Sequence, residues 1–119
     1  MEGSKMRVGN INSRASYALP DTVEQIVVAM CRDYKRRAVG IVTPETSART
    51  KVEYRYLNYK IADAVAELVE RRNVPIFIDE IGSHTGYASS AVVGMSESVY
   101  KRTKVQIKYN IAKKLHIWE

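Results

Sequence analysis

Apolar residues at helical spacing begin near residue 21 and mark one face of a first helix. Its positions are three and four residues apart: Val23, Ile26, Val27, Met30 and Tyr34. Asp21 precedes Glu24 by three residues, which is the spacing of a capping box at a helix start. Gly40 fits a C-terminal stop. The sequence therefore predicts a helix over residues 21–39.

A second, longer helix is predicted after Thr43-Pro44, because threonine caps a helix well and proline fits its first turn. No glycine or proline interrupts the chain from there to about Asn73. The helix has a continuous apolar stripe: Tyr54, Leu57, Ile61, Val65 and Leu68. Tyr56 and Tyr59 lie outside this stripe, and so long a helix in a short chain is compatible with a homodimer.

The apolar run at residues 76–78, followed by Asp79, Glu80 and Ile81, has an ambiguous period. A strand here would find no partner strand elsewhere in the chain, so we predict a short helix over residues 76–81. A helix at this place would be the third one that a helix-turn-helix unit packs against. Residues 82–86, GSHTG, are predicted to form a loop.

Residues 87–104, YASSAVVGMSESVYKRTK, form the most informative segment, because they have the features of a helix-turn-helix. Small side chains at residues 88–90 let two helices cross closely, and Gly94 accepts the positive φ of a tight turn. Met95 can fill the corner. Ser96 can cap the second helix through its hydroxyl.

The final helix is predicted from Ser96 to Leu115, with two different faces. The inner face is largely apolar: Tyr100, Thr103, Ile107, Ile111 and Leu115. A recognition helix needs such a face as an anchor and a second face that reaches phosphates and base edges. The candidate DNA-binding residues lie at the helix start and on its basic side: Ser96, Glu97, Ser98, Lys101, Arg102, Lys104 and Lys108. The predicted fold is all-α, a helical domain with a C-terminal helix-turn-helix and a long central helix.

The position of the charge strengthens this prediction more than its amount does. The 119 residues carry 19 Lys and Arg against 13 Asp and Glu, a net charge of +6. Residues 96–119 hold six basic groups against two acidic ones, whereas residues 74–95 hold only two acidic groups. A basic final helix suggests a polyanionic partner, here double-stranded DNA. The predicted organisation is a flexible arm over residues 1–18, a two-helix part over residues 19–73 and a DNA-binding part over residues 74–119.

Catalytic and metal-binding functions find little support in the residues. The segment PIFIDEIG, residues 75–82, resembles a Walker B element, but the phosphate-binding motif that it needs is missing. His84 and His116 have no nucleophile positioned for them to activate, and together with Cys31 they lack the spacing of metal ligands. Cys31 is expected to be a buried, unreactive thiol. We therefore expect that the protein is not an enzyme and that it has no cofactor and no metal site.

A membrane location is not expected either. The sequence contains no run of about 18 apolar residues that would span a bilayer. The first residues, MEGSKMRVGN, contain no apolar stretch of the kind found in secretory signals. We expect a cytoplasmic protein.

Residues 94–104 (GMSESVYKRTK) and residues 107–115 (IKYNIAKKL) resemble the C-terminal end of small phage-encoded transcriptional regulators. These are the ArpU-like and RinA-like activators of Gram-positive phages and prophages, whose DNA-binding end is similar to the fourth region of sigma factors. Residues 31–37 (CRDYKRR) also resemble a segment of their first helix, and residues 54–58 (YRYLN) resemble their mid-chain helix. The resemblance implies regulation of phage late, lysis or packaging genes, with RNA polymerase as a further partner.

Two other interpretations stay open. A phage DNA-packaging component of the small-terminase kind uses a similar helical unit but assembles into rings. A helical protein-interaction module that never binds nucleic acid would instead use the tyrosines of the central helix, Tyr54, Tyr56 and Tyr59.

Overall fold

Over residues 17–118, the part that the computed structural model describes, the chain forms five α-helices and no strand. The helices are α1 (Asp21–Arg32), α2 (Tyr34–Val42), α3 (Ala48–Ala66), α4 (Val74–Ser83) and α5 (Glu97–Lys114). Single 3-10 turns precede α4 (Arg71–Asn73) and lie between α4 and α5 (Tyr87–Ser89). The all-α class and the long central helix are confirmed. The arm predicted over residues 1–18 lies outside the described residues, apart from its last two positions.

Helices α1 and α2 replace the single first helix that was predicted. The chain leaves helical geometry at Asp33 (φ −89°, ψ 0°), which ends α1 and begins α2. The Asp33 carboxylate then accepts a hydrogen bond from Nε of Arg36 at 2.5 Å. Gly40 does not stop the helix but lies within α2, where a Cβ atom would be 2.8 Å from the ring of Tyr54. The glycine thus lets α2 pack closely against α3.

The capping box predicted at the start of α1 is not formed. Pro20 occupies the N-cap position, and no side chain accepts a hydrogen bond from the free backbone N–H groups. Asp21 is the first helical residue, where its negative charge still suits the helix dipole. Glu24 instead forms an ion pair with Lys108 of α5. Glu24 thus contributes to a tertiary contact instead of the predicted capping box.

Helix α3 is shorter at both ends than the sequence predicted. It begins after Ser47, whose hydroxyl oxygen accepts a hydrogen bond from the backbone N–H of Thr50 at 3.1 Å. Thr43 and Pro44 precede it in the connection from α2, and the helix ends at Ala66. A local serine cap therefore sets the start of the central helix.

Helix α4 confirms the short helix predicted over residues 76–81 and excludes the strand alternative. Its apolar side chains join those of α1, α3 and α5 in one core: Val27, Cys31, Ile61, Val65, Phe77, Ile81, Tyr100, Ile107 and Ile111. At Gly82 a Cβ atom would lie 2.7 Å from Cα of Arg32, so α4 approaches the backbone of α1 directly. Burial raises the pKa of the Cys31 thiol to about 12, which keeps it protonated at neutral pH. None of the described helices is long and apolar enough to cross a membrane.

Candidate nucleic-acid interface

The start of α5 has the local geometry that the sequence predicted. Gly94 has a φ of 85°, in the left-handed region that glycine enters without strain. The hydroxyl oxygen of Ser96 accepts a hydrogen bond from the backbone N–H of Val99 at 3.3 Å, which caps the helix. Met95 packs against the core at the corner. Turn, cap and corner are confirmed.

The helix predicted just before this turn is absent from the structure, and that part of the prediction was wrong. Helix α4 ends at Ser83, followed by His84 in the left-handed conformation (φ 57°). Only the 3-10 turn Tyr87–Ser89 interrupts the connection, and Ser90 is extended. The helix that precedes α5 is therefore α4, and residues 84–96 separate the two.

A buried carboxylate holds this connection in place. Glu80 of α4 is only 4% exposed. Its Oε1 accepts hydrogen bonds from the hydroxyls of Ser90 and Tyr100, both at 2.7 Å. Its Oε2 accepts one from the backbone N–H of Ala91, also at 2.7 Å. These three donors keep residues 90 and 91 out of helical pairing and join α4 to α5.

The burial of Glu80 was not predicted from the sequence. A signal was nevertheless present, because Glu80 lies three residues after Phe77 and one before Ile81. At about 3.6 residues per turn, that spacing places an acidic residue on the apolar side of the helix. Such a residue needs buried donors, and the Ser90 and Tyr100 hydroxyls provide two of them.

Tyr100 anchors the first turns of α5 on the side that faces the core. Its ring stacks on Phe77 with 5.5 Å between the ring centroids, and its hydroxyl also donates to the carbonyl of Thr85 at 3.1 Å. Burial, together with the hydrogen bond to Glu80, raises the pKa of Tyr100 to about 12. The hydroxyl therefore remains a donor at any physiological pH, and the base of the helix is fixed.

Five of the seven candidate residues lie exposed on the first two turns of α5: Ser96, Glu97, Ser98, Lys101 and Arg102. Lys101 forms an ion pair with Glu97 at 2.8 Å, and both side chains are more than half exposed. Such a pair contributes little stability and can exchange for another partner. Within the described part of the chain, Arg102 makes no ion pair or side-chain hydrogen bond.

The other two candidates, Lys104 and Lys108, are engaged inside the molecule. Nζ of Lys104 donates to the carbonyl of Thr85 at 2.7 Å and lies 5.0 Å from the ring centroid of Tyr100. Burial, with the nearby charge of Lys108, lowers the pKa of Lys104. Lys108 forms an ion pair with Glu24 of α1, and its side chain is 19% exposed. These two lysines therefore hold α5 against neighbouring parts of the molecule and do not form an open basic face.

The second half of α5 is partly covered by the chain that leads into α1. Tyr17 lies edge-on against Tyr109, with 5.3 Å between the ring centroids. Tyr17 also lines a groove of about 270 Å³, together with Leu19, Val105 and Lys108. Among the described residues, the exposed positions of α5 are therefore concentrated in its first two turns.

The described residues contain no group of three or more His, Cys, Asp and Glu side chains that could hold a metal ion. Comparison of the chain with known protein families, curated proteins and solved structures finds no match. The open surface of α5 and the groups that support it are therefore the features of the molecule that bear on its function.

Proposed function

We propose that this protein binds double-stranded DNA in a sequence-specific way through the first two turns of α5, and that it regulates transcription of phage or prophage genes. The supporting observation is the exposed, polar start of a helix that a buried Tyr100 fixes from behind. A helix presented by its N-terminal end is the usual reader of the major groove in helix-turn-helix proteins. The resemblance to phage regulators points to the same end of the chain.

The side chains at this end have the chemistry for reading DNA. Ser98 and Arg102 are four residues apart and lie one above the other on the side away from the core. The guanidinium fork of Arg102 matches the two acceptors of guanine, and the serine hydroxyl suits a phosphate or a base edge. Lys101 can exchange Glu97 for a phosphate, because their ion pair is exposed.

The inward positions of Lys104 and Lys108 change the salt dependence that we expect for DNA binding. Each phosphate that a cation neutralises adds about 0.9 to the slope of log affinity against log salt. With these two lysines bound to Thr85 and Glu24, few cations of α5 remain for phosphates. We therefore expect a shallower salt dependence than the six basic groups of residues 96–119 suggest.

Fluorescence anisotropy with duplexes tiled across the DNA around its own gene tests the proposal, at about 50 and 200 mM salt. We expect one duplex to bind much more tightly than the rest. Arg102→Ala should weaken that binding by about 1–3 kcal/mol and relax the sequence preference. Arg72→Ala is the matched control, because Arg72 is also an exposed arginine but lies before α4 and pairs with Glu70.

Several outcomes would overturn the proposal. No binding at low salt would exclude DNA as the partner. An equal loss on the selected duplex and on random DNA would reduce Arg102 to a phosphate contact. A ring of many subunits in solution would favour the packaging component instead.

A further inference from the structure

The outer face of α3 carries an exposed apolar stripe, on which Nζ of Lys60 lies 5.6 Å from the ring centroid of Tyr56. Val52, Tyr56 and Tyr59 are 61%, 50% and 65% exposed. They lie opposite the buried stripe that contains Asn58 and Ile61, because about 3.6 residues complete one turn. Helix α3 thus has two packing faces, and the core uses only one of them.

Helix α2 does not cover this stripe, because it packs on the other side of α3. There Nη1 of Arg36 donates to the hydroxyl of Tyr54 at 2.9 Å, and Gly40 lies against the same ring. Large exposed apolar side chains next to one another usually mark a binding surface.

We propose that this stripe binds the same stripe of a second copy of the chain, with the two α3 helices antiparallel. Arg49, Val52, Tyr56 and Tyr59 follow the three- and four-residue spacing of a two-helix seam. A twofold axis midway between Tyr56 and Tyr59 places each of these rings level with the other ring of the second copy. That axis passes close to the midpoint of α3, so the full helix, roughly 28 Å long, lies in the contact.

The charges beside the seam select the antiparallel direction. Glu53 and Lys60 are seven residues apart on one flank of the stripe. In an antiparallel pair each flank faces the same flank of the second helix, so Glu53 meets Lys60 of the other copy twice. In a parallel pair Arg55 would instead approach Lys60 of the other copy, and Arg49 would face its own counterpart. Opposite charges favour the first arrangement and like charges oppose the second.

The shape of the surface fits the same arrangement. A twofold at this place sets Val52 level with Asp63 of the second copy, between Ala62 and Ala66. These two small side chains line an open groove of about 390 Å³ next to Tyr59, which Val74 and Pro75 also line, with Arg71 and the Asp63 carboxylate, paired with Lys114 at 3.0 Å, as its charged members. A valine from the second copy can enter this groove, which a larger residue at either alanine would narrow.

Sedimentation velocity without DNA, over a range of protein concentrations, tests the inference independently of the proposed function. We expect a reversible dimer with micromolar dissociation, because one helix pair is smaller than the usual interface of about 800 Å² per partner. Lys60→Glu places carboxylates opposite each other and should weaken the dimer about tenfold. Adding Glu53→Lys to that variant should restore it. Arg55→Glu is the matched control and should leave an antiparallel dimer nearly unchanged.

Tyr59→Ser provides a second test that does not depend on charge, and circular dichroism checks that each variant stays folded. We expect it to shift the protein to monomer. A monomer at every concentration of the unaltered protein would overturn the inference. If Lys60→Glu or Arg55→Glu strengthens the dimer, the two α3 helices are parallel. If none of these substitutions changes dimerisation, the interface lies on another surface of the protein.

Discussion

The first two turns of α5 and the outer face of α3 are both exposed helical surfaces, but they differ in chemistry. The start of α5 presents hydroxyls and charged groups such as Ser98 and Arg102, whereas α3 presents Tyr56 and Tyr59. Nucleic acid is read by hydrogen-bonding and charged groups, while protein partners bind through aromatic anchors that lose their water. The two faces are therefore suited to different partners.

A second contrast lies beneath the two surfaces. Under α5 an acidic group, Glu80, collects neutral donors from the connection and from Tyr100. Under the α2–α3 pair a basic group, Arg37, is buried and donates from Nε to Oδ1 of Asn58 at 2.7 Å and from Nη2 to the carbonyl of Met30 at 2.6 Å. Each exposed face thus has its own buried polar anchor, and each can be disturbed separately.

The largest effect is expected from Glu80→Ala, which removes the anchor under α5. The backbone N–H of Ala91 would lose its carboxylate acceptor and the buried Tyr100 hydroxyl would keep only the carbonyl of Thr85, at a cost of about 3 kcal/mol in the free energy of unfolding. Urea denaturation measures this loss. Asp79→Ala on the same helix is the control, because Asp79 is exposed and should change stability by less than about 0.5 kcal/mol. Similar small losses in both variants would contradict the role of Glu80.

Asn58→Ala should have the next largest effect, and on the other surface. Asn58 accepts from Arg37 and donates from Nδ2 to the carbonyl of Tyr34 at 3.1 Å, so its loss should cost about 2 kcal/mol. Hydrogen exchange of backbone amides should accelerate in α2 and change little at the start of α5. Equal acceleration in both places would mean that the two anchors are not separate.

The smallest effect is expected from Lys108→Ala, which tests whether this lysine belongs to the fold or to the DNA-binding surface. Loss of the ion pair with Glu24 should lower the free energy of unfolding by about 1 kcal/mol and leave DNA affinity nearly unchanged. Lys101→Ala should do the reverse, because its partner Glu97 is exposed. A large loss of DNA affinity in Lys108→Ala would show that this lysine belongs to the DNA-binding surface.

Local chemistry made part of this structure predictable from sequence. The positive φ of Gly94 and the cap of Ser96 depend only on neighbouring residues, and the inner face of α5 follows from helical spacing. The short apolar run of α4 was correctly assigned because no other strand was available to pair with it. These features need no knowledge of distant contacts.

Several of the errors arose where a side chain found a partner far along the chain. Lys108 and Glu24 are 84 positions apart, and their ion pair removed one residue from the predicted basic face and another from the predicted capping box. Glu80 accepts from Ser90 and Ala91 as well as from Tyr100 of α5, and these contacts rather than local propensity fix the extended connection. Composition and spacing cannot specify such pairs.

The most direct test of the central claim is an NMR titration that follows every backbone amide as the tightest-binding duplex is added. We predict that the largest changes occur at residues 96–102, with little change at Tyr56 and Tyr59. Changes that concentrate on the outer face of α3 and leave the start of α5 unaffected would contradict the account.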